Sequence, residues 1–430
     1  MSRGGDAAAE DPTIPSPLWR RLLGFSMLPA IAAISPLIAL PFLGRAAGPE
    51  GWASAIAGES IGTFAAIVIA FGWGTIGPAL VAAAPDDTVR GRLYRDALVV
   101  RGLLAVVVLP VTIVLCAVTA SPGYGLLSAL MGVQGALIAL SFTFFAVGVA
   151  KPGAIAAFDA IPRVITAVLA AALIAGTGVV ELYPLSGIAV TLIGTGWYTV
   201  RILRRYPSPW SPPREWPLRF RTGLPVAMNE AALGAYSAVP TPLVHIATPD
   251  LSAGYASGDK MLKLGQFIPI TLANAFQSWT VESHGDDRVR RIRLAIVAHG
   301  VLGIVGWAAL SLLGPWVSEF LAPGSQTPTM ICVILGAAFA LYSVRTSMTR
   351  HLLFPYGYQI AVMRATLIGT VIGIPAMLAM AWTVGPVGVA VGYAATELVA
   401  TAILLPLTIA TIRRLREESE RPFPRDGAAA

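Results

Sequence analysis

Charge is scarce in this sequence. Asp, Glu, Lys and Arg make up only 12% of its 430 residues, where soluble globular domains carry roughly a quarter. Lysine is scarcer still: Lys151, Lys260 and Lys263 are the only three, and arginine supplies the rest of the positive charge. Cysteine occurs twice, at Cys116 and Cys332, far apart and inside apolar runs, so neither a disulfide framework nor a zinc site is expected. The four histidines, His245, His284, His299 and His351, have no metal-binding spacing and read as packing or interfacial residues. No G-x-x-x-x-G-K-[ST] loop is present, which excludes a Walker-type nucleotide site. No nucleophile and base stand together, so the chain is read as not an enzyme.

What the chain has instead is apolar surface. Its apolar side chains amount to 56% without counting glycine, and its mean hydropathy is +0.72. So much apolar surface cannot be hidden inside one water-facing domain, and lipid is the expected solvent. That excludes a soluble enzyme, a nucleic-acid-binding domain and a disordered chain. The net charge of +7 does not reopen the nucleic-acid reading, because the basic residues fall in short clusters between apolar runs. The first residues include Asp6, Glu10 and Asp11 in place of a basic stretch, so the first apolar run is expected to be a retained span.

A helix crossing the hydrocarbon core needs about 20 mainly apolar residues. Twelve such stretches are expected, near 19–43, 51–83, 97–119, 124–149, 154–177, 182–202, 221–244, 251–281, 292–313, 328–350, 356–382 and 385–411. The fold class is therefore an all-α polytopic membrane protein. The even-numbered connections hold arginine clusters such as Arg90, Arg92 and Arg95, or Arg288, Arg290, Arg291 and Arg293. The odd-numbered ones hold Arg45 beside the acids Glu50, Glu181, Asp250 and Glu319. Positive loops stay in the cytoplasm, which places both termini inside, in the cytoplasmic membrane. The expected division is an N-terminal tail (1–17), an N-lobe (18–202), a proline- and charge-rich linker (203–219), a C-lobe (220–412) and a C-terminal tail (413–430).

The halves resemble each other. An offset of 200 aligns Pro249 with Pro49, Ala253 with Ala53 and Gly258 with Gly58. It also superimposes the D-D-x-V-R of 286–290 on that of 86–90. Each aspartate pair reads as a solvated turn with local ion pairs. Because both halves start on the same side, the repeat is parallel, about an axis along the membrane normal.

Ionisable groups inside the hydrocarbon cost about 2.5–3.5 kcal/mol each on insertion scales and usually face a cavity or a partner. The eighth span carries Asp259, Lys260 and Lys263, followed by Gln266, Asn274 and Gln277; the second carries Glu59; the seventh carries Asn229 and Glu230; the last carries Glu397. Arg345, Arg364 and the pair Asp159/Arg163 lie nearer the cytoplasmic ends, and the pair reads as an i,i+4 bridge turned toward the interface. Prolines interrupt the first span (Pro29, Pro36, Pro41) and the seventh (Pro225, Pro240, Pro242), and G-W-G-T-I-G-P at 72–78 marks a further bend. Interruptions at matching places in two halves point to a transport site.

The run ISPLIALPFLGRAAGPEGWASAIAGESIGTFAAIVIAFGWGTIGPALVA resembles the first two helices of polysaccharide-exporter flippases of the multidrug/oligosaccharidyl-lipid/polysaccharide superfamily. G-Y-A-S-G-D-K at 254–260 is similar to the start of their eighth helix, and V-G-P-V-G-V-A-V-G-Y-A-A-T-E at 384–397 to their twelfth. Twelve spans, not the fourteen of the lipid II flippase branch, favour the O-antigen or capsule type. The resemblance implies a transporter that flips an undecaprenyl-pyrophosphate-linked oligosaccharide by alternating access of a charged central cavity. Lys260 and Lys263, with Arg45, Arg345 and Arg364, would neutralise the phosphates. Glu59, Asn229, Glu230, Asp259 and Glu397 would balance the empty cavity or bind a coupling ion, H⁺ or Na⁺; no other cofactor is implied. Expected partners are the lipid-linked saccharide, the bilayer, and a glycan polymerase or glycosyltransferase. Two alternatives stay open: an ion-coupled drug/cation antiporter of the same superfamily, and a membrane glycosyltransferase or polymerase. A major-facilitator carrier is disfavoured, since the second-to-third connection lacks G-x-x-x-D-R-x-G-R-R.

Overall fold

The computed structural model describes residues 35–281 and 285–420, apart from the side chains of Leu218, Arg219, Thr222, Gln277, Ser278, Val281, Gly285, Asp286, Ser419 and Glu420. The expected N-terminal tail, most of the first span with Pro29, and His284 lie outside the described residues, as do the side chains of Gln277 and Asp286 and the end of the C-terminal tail.

Every regular element among the described residues is helical. The N-terminal half comprises α1 (Pro36–Ala70), α2 (Trp73–Ala83), α3 (Asp87–Thr119), α4 (Gly125–Leu137), α5 (Thr143–Gly148), α6 (Pro152–Ile155), α7 (Ile161–Thr177) and α8 (Leu182–Arg205). The C-terminal half comprises α9 (Trp216–Ala238), α10 (Pro240–Ala247), α11 (Pro249–Gly265), α12 (Phe267–Val281), α13 (Gly285–Leu321), α14 (Thr329–Ser347), α15 (Gln359–Thr383) and α16 (Pro386–Glu420). Helix α1 joins the end of the first expected span to the second through one residue, Gly48, whose φ of 66° and ψ of 179° break the helical path. Glycine adopts that conformation without a Cβ clash. The second span bends again at Phe71 and Gly72 (φ 49° and 78°), where the glycine- and proline-rich run begins. The prolines of the seventh span act more mildly. Val239 keeps helical angles (φ −67°, ψ −37°), so the interruption before Pro240 is a lost hydrogen-bond donor and not a sharp turn.

On length and composition alone, eight helical stretches among the described residues suit a membrane crossing, the first of them, Pro36–Ala83, containing the end of the first expected span and the whole of the second. The expected spans 182–202, 221–244 and 251–281 are helical but less apolar, for they carry the tyrosines, threonines, glycines and charged groups.

The two lobes repeat one plan. Pro49 opens the part of α1 that follows the break at Gly48, and Pro249 opens α11. The shared D-x-V-R turns form the same ion pair at the start of α3 and of α13, Arg90 Nη1 to Asp87 Oδ1 at 3.0 Å and Arg290 Nη2 to Asp287 Oδ1 at 2.8 Å. In the first copy Asp86 also caps the helix by accepting from the Val89 N–H at 2.8 Å. Gly123 (φ 87°) and Gly324 (φ 77°) turn the chain at matching places after the long third helix of each lobe.

The lobes meet along α1. At the end opposite the arginine-rich loops, Leu40, Leu43, Trp52 and Ile56 share one core with Ala253, Ala256, Leu321 and Ala322. At the arginine-rich end, Phe71 meets Phe220 edge to face with ring centroids 5.4 Å apart.

Candidate functional site

Helix α11 runs inward from Pro249, so residues 259–263 lie about 15–20 Å from its start at 1.5 Å per residue, near the middle of a bilayer. They face the other lobe. The Lys260 ammonium sits between both carboxylate oxygens of Glu59, 2.6 Å from each. One helical turn on, Lys263 pairs with Asp259 Oδ2 at 2.6 Å and donates to Ser60 Oγ of α1 at 3.2 Å. Thr241 of α10 donates to the same Asp259 oxygen at 2.5 Å. The offset of 200 superimposes Asp259 on Glu59, so the two carboxylates are repeat equivalents. Asp259 is fully buried and its Oδ1 has no hydrogen-bond partner. Lys260 is 6% exposed. Two ammonium and two carboxylate groups thus cancel in formal charge at the lobe boundary.

Small residues make this approach possible on the closed side. Trp52 Nε1 donates to Ser257 Oγ at 2.8 Å, and Ser54 Oγ lies 3.4 Å from His245 Nε2, whose other nitrogen meets Ser252 Oγ at 3.0 Å. His245 therefore belongs to the lobe contact, as a packing residue.

Behind Glu59, within the N-lobe, lies a cavity of about 110 Å³ lined by Glu59, Gln134, Arg163, Thr166, Tyr183 and Ser186 among others. Arg163 pairs with Asp159 at 2.8 Å, as the i,i+4 spacing predicts. The pair does not simply turn to the interface, however. A wide turn over Ala156–Ala160 precedes α7, and Arg163 lines the cavity.

A second ionic group sits inside the C-lobe. Arg345 grips Glu397 through two parallel bonds, Nε to Oε2 at 2.8 Å and Nη2 to Oε1 at 2.9 Å. Tyr236 donates to Glu397 Oε1 at 2.9 Å. Tyr393 packs on Tyr236 with ring centroids 5.6 Å apart and accepts from Gln266 at 3.2 Å, linking this group to α11. Nε and Nη2 of Arg345 are thus committed to Glu397 within the C-lobe, apart from the Lys260 and Lys263 cluster.

The remaining expected site residues lie elsewhere. Glu230 accepts a hydrogen bond from Thr75 of the N-lobe, and Asn229 Oδ1 beside it is buried without a partner. Arg45 is exposed at the opposite end and stacks over Phe320, 5.7 Å from the ring centre. Arg364 is exposed on α15, five residues from its start. These two are outside the central cluster. Each stands close enough to a helix end for its long stem to carry the charge out of the hydrocarbon.

Sequence reasoning missed Ser60, Thr241, Tyr236 and Tyr393, because single hydroxyls are unremarkable in membrane helices. It also passed over Arg101, which is buried in α3. Arg101 Nη1 donates to the carbonyls of Ala139 and Ser141, both at 2.9 Å, where α4 has ended. It supplies donors to backbone that would otherwise be unpaired in lipid. His299 and His351 likewise meet backbone carbonyls of α12, Pro269 at 3.2 Å and Ala273 at 3.1 Å. Cys116 and Cys332 are buried and unbridged.

No family model matches the sequence, and no curated protein matches it. Solved structures do match. One is described as an inward-facing conformation of a multidrug resistance MATE family transporter of the MOP superfamily; its TM-score is 0.67 at 17% identity, over 90% of this chain and 96% of that one. The lipid II flippase MurJ in an inward closed conformation gives 0.69 at 12% identity, over 92% and 90%. A structure of the MATE multidrug transporter DinF-BH gives 0.57 at 16%, over 94% and 97%. By architecture, then, this chain is a polytopic α-helical membrane protein with the two-lobed fold shared by MATE and MurJ transporters.

Proposed function

We propose that this protein is a transporter that flips an anionic, lipid-linked oligosaccharide, of the undecaprenyl-pyrophosphate type, across the cytoplasmic membrane by alternating access between its lobes. Both termini then lie in the cytoplasm. The observation that carries this reading is the placement of two of the chain's three lysines, Lys260 and Lys263, at mid-depth on the lobe boundary. A cation is expensive there unless function keeps it. Lipid-linked sugars bring a negative pyrophosphate and a hydrated glycan that hydrocarbon rejects, while their prenyl tail stays in the bilayer beside the cleft. A MurJ-like fold supports the reading, since that neighbour is named for a lipid-linked substrate. A glycan polymerase or glycosyltransferase fits as the partner that supplies or consumes the substrate, and H⁺ or Na⁺ as the coupling ion.

The second reading, an ion-coupled exporter of organic cations, draws on Glu59 and Asp259 in the same cluster and on the multidrug neighbours. Transport by reconstituted vesicles separates the two. The Lys260→Gln/Lys263→Gln variant is expected to insert normally and to lose movement of a labelled prenyl-pyrophosphate-linked saccharide by about a hundredfold or more, the loss of two charge-assisted contacts of roughly 1.5 kcal/mol each. Unchanged movement of that lipid, with uptake of a cationic dye that depends on Glu59, decides for the cation exporter. Lipid-linked sugar extended by the protein alone would instead show a glycosyltransferase.

A further inference from the structure

We infer that the central cluster is a proton-binding site whose occupancy is positively linked to the anionic headgroup: the protein takes up protons as it binds the headgroup. The inference rests on the reading that the substrate is anionic, and it concerns how this site accepts that charge.

The argument begins with what the lysines already hold. Lys260 is closed on both oxygens of Glu59, and Lys263 on Asp259 and Ser60. Neither ammonium is free, and the four groups sum to zero. A pyrophosphate carrying two esters keeps two negative charges from about pH 5 to 9, since neither phosphate retains its second ionisation near pH 6. Setting it on the lysines displaces the carboxylates and leaves two uncompensated anions in a low-dielectric site, which is costly. Two protons, one on Glu59 and one on Asp259, restore neutrality: two ammonium groups then face two phosphate charges beside two neutral acids.

The surroundings favour protons on these acids once the lysines leave. Around Glu59 stand Lys260 from α11, Arg163 from α7 and Tyr183 from α8, and the Arg163 charge is held by Asp159. Around Asp259 stand Lys263 and Tyr255 on its own helix, Thr241 of α10, Ser60 of α1 and Tyr393 of α16. Apart from the departing lysines and the paired Arg163, these neighbours are neutral. Asp259 Oδ1 has no hydrogen-bond partner in a fully buried residue, so this oxygen is open to a proton. Among the described residues no three His, Cys, Asp or Glu side chains come together, so no transition-metal cage is formed. A proton needs only one oxygen.

The linkage is reciprocal, so lowering pH tightens the headgroup and the headgroup tightens the proton. Protons taken up with the anion neutralise its charge within the cluster. An organic cation has the opposite sign: it pairs with the carboxylates and expels protons.

The test is calorimetry on the full chain in nanodiscs, titrated with a short-chain prenyl-pyrophosphate-linked sugar in buffers of different ionisation enthalpy and in sodium or choline salt. The expected result is net uptake of one to two protons per ligand, unchanged by sodium, with affinity falling about tenfold per pH unit for each proton taken up. In Glu59→Gln/Asp259→Asn the uptake vanishes and the affinity stops depending on pH. Binding that needs Lys260 and Lys263 yet takes up no protons, or takes up sodium instead, overturns this inference and leaves the flippase reading standing. Absence of lysine-dependent binding, with proton release on adding a cationic dye, overturns both. Because uptake is read on the unaltered protein, a variant that fails to fold does not leave the matter open.

Discussion

Glu59 and Glu397 both face a basic side chain inside the membrane, but they differ in what water can do for them. The Glu397 side chain is 1% exposed and its arginine 12%, whereas the Glu59 side chain is 30% exposed and borders a cavity. Removing one partner of a sealed ion pair strands the other and costs roughly 3–5 kcal/mol. Glu397→Gln is therefore expected to lower the thermal midpoint in detergent more than Glu59→Gln, where water from the cavity beside position 59 can take the carboxylate's place against the buried Lys260. An equal drop would show that the central cluster is as dry and structural as the C-lobe pair. The intramembrane cost of charge made Glu59, Asp259, Lys260, Lys263, Arg345 and Glu397 legible in the sequence. It did not sort them into a cross-lobe cluster and a C-lobe staple, because pairing depends on which helices meet, and spacing along one helix carries no such information. Arg45 and Arg364 were grouped with the cavity as cations able to meet a phosphate; both are exposed, Arg45 over Phe320.

At the scale of elements, small residues do what charge does for single groups. Gly58 and Gly62 place α1 against α4, and a Cβ on Gly62 would stand 2.1 Å from the Gly132 carbonyl oxygen. This is the close approach that membrane helices gain from small residues spaced four apart. Gly62→Leu has no room to relax except by parting the two helices, and overpacking of this kind costs about 1–3 kcal/mol or more. Gly102→Ala in α3 meets nothing within 4 Å and should be neutral or stabilising. Melting curves of the two variants test this; equal midpoints would mean that α1 and α4 do not pack closely. The helices themselves were legible, since apolar length dictates them, and so was the bend at 71–72. The effect of Pro240 was less so, because a proline removes a donor whether or not the backbone then turns, and here Val239 stays helical.

For the molecule as a whole, the duplicated plan was written in the matching D-x-V-R turns, while the state of the cleft was written nowhere. Its state follows from contacts between residues about 190 to 280 positions apart: Trp52 on Ser257, Ser54 beside His245, and Gly44 so close to Leu321 and Ala322 that a Cβ would stand 2.4 Å from the Leu321 carbonyl oxygen. These contacts seal the end opposite the arginine-rich loops, and alternating access requires that they part. Ser54→Cys/His245→Cys places one thiol on each lobe across this contact, within reach of a short cleavable bis-thiol cross-linker. The cross-linker should join them, arrest transport in reconstituted vesicles, and release it when reductant is added. The native Cys116 and Cys332 are buried and far from this contact in sequence, so the unaltered chain serves as control. If the cross-linked protein moves substrate at the rate of the reduced one, the lobes do not separate at this end and the rocking mechanism fails. If it stops, yet still binds the headgroup from the arginine-rich side with uptake of protons, the seal and the charged cluster are separable parts of one cycle.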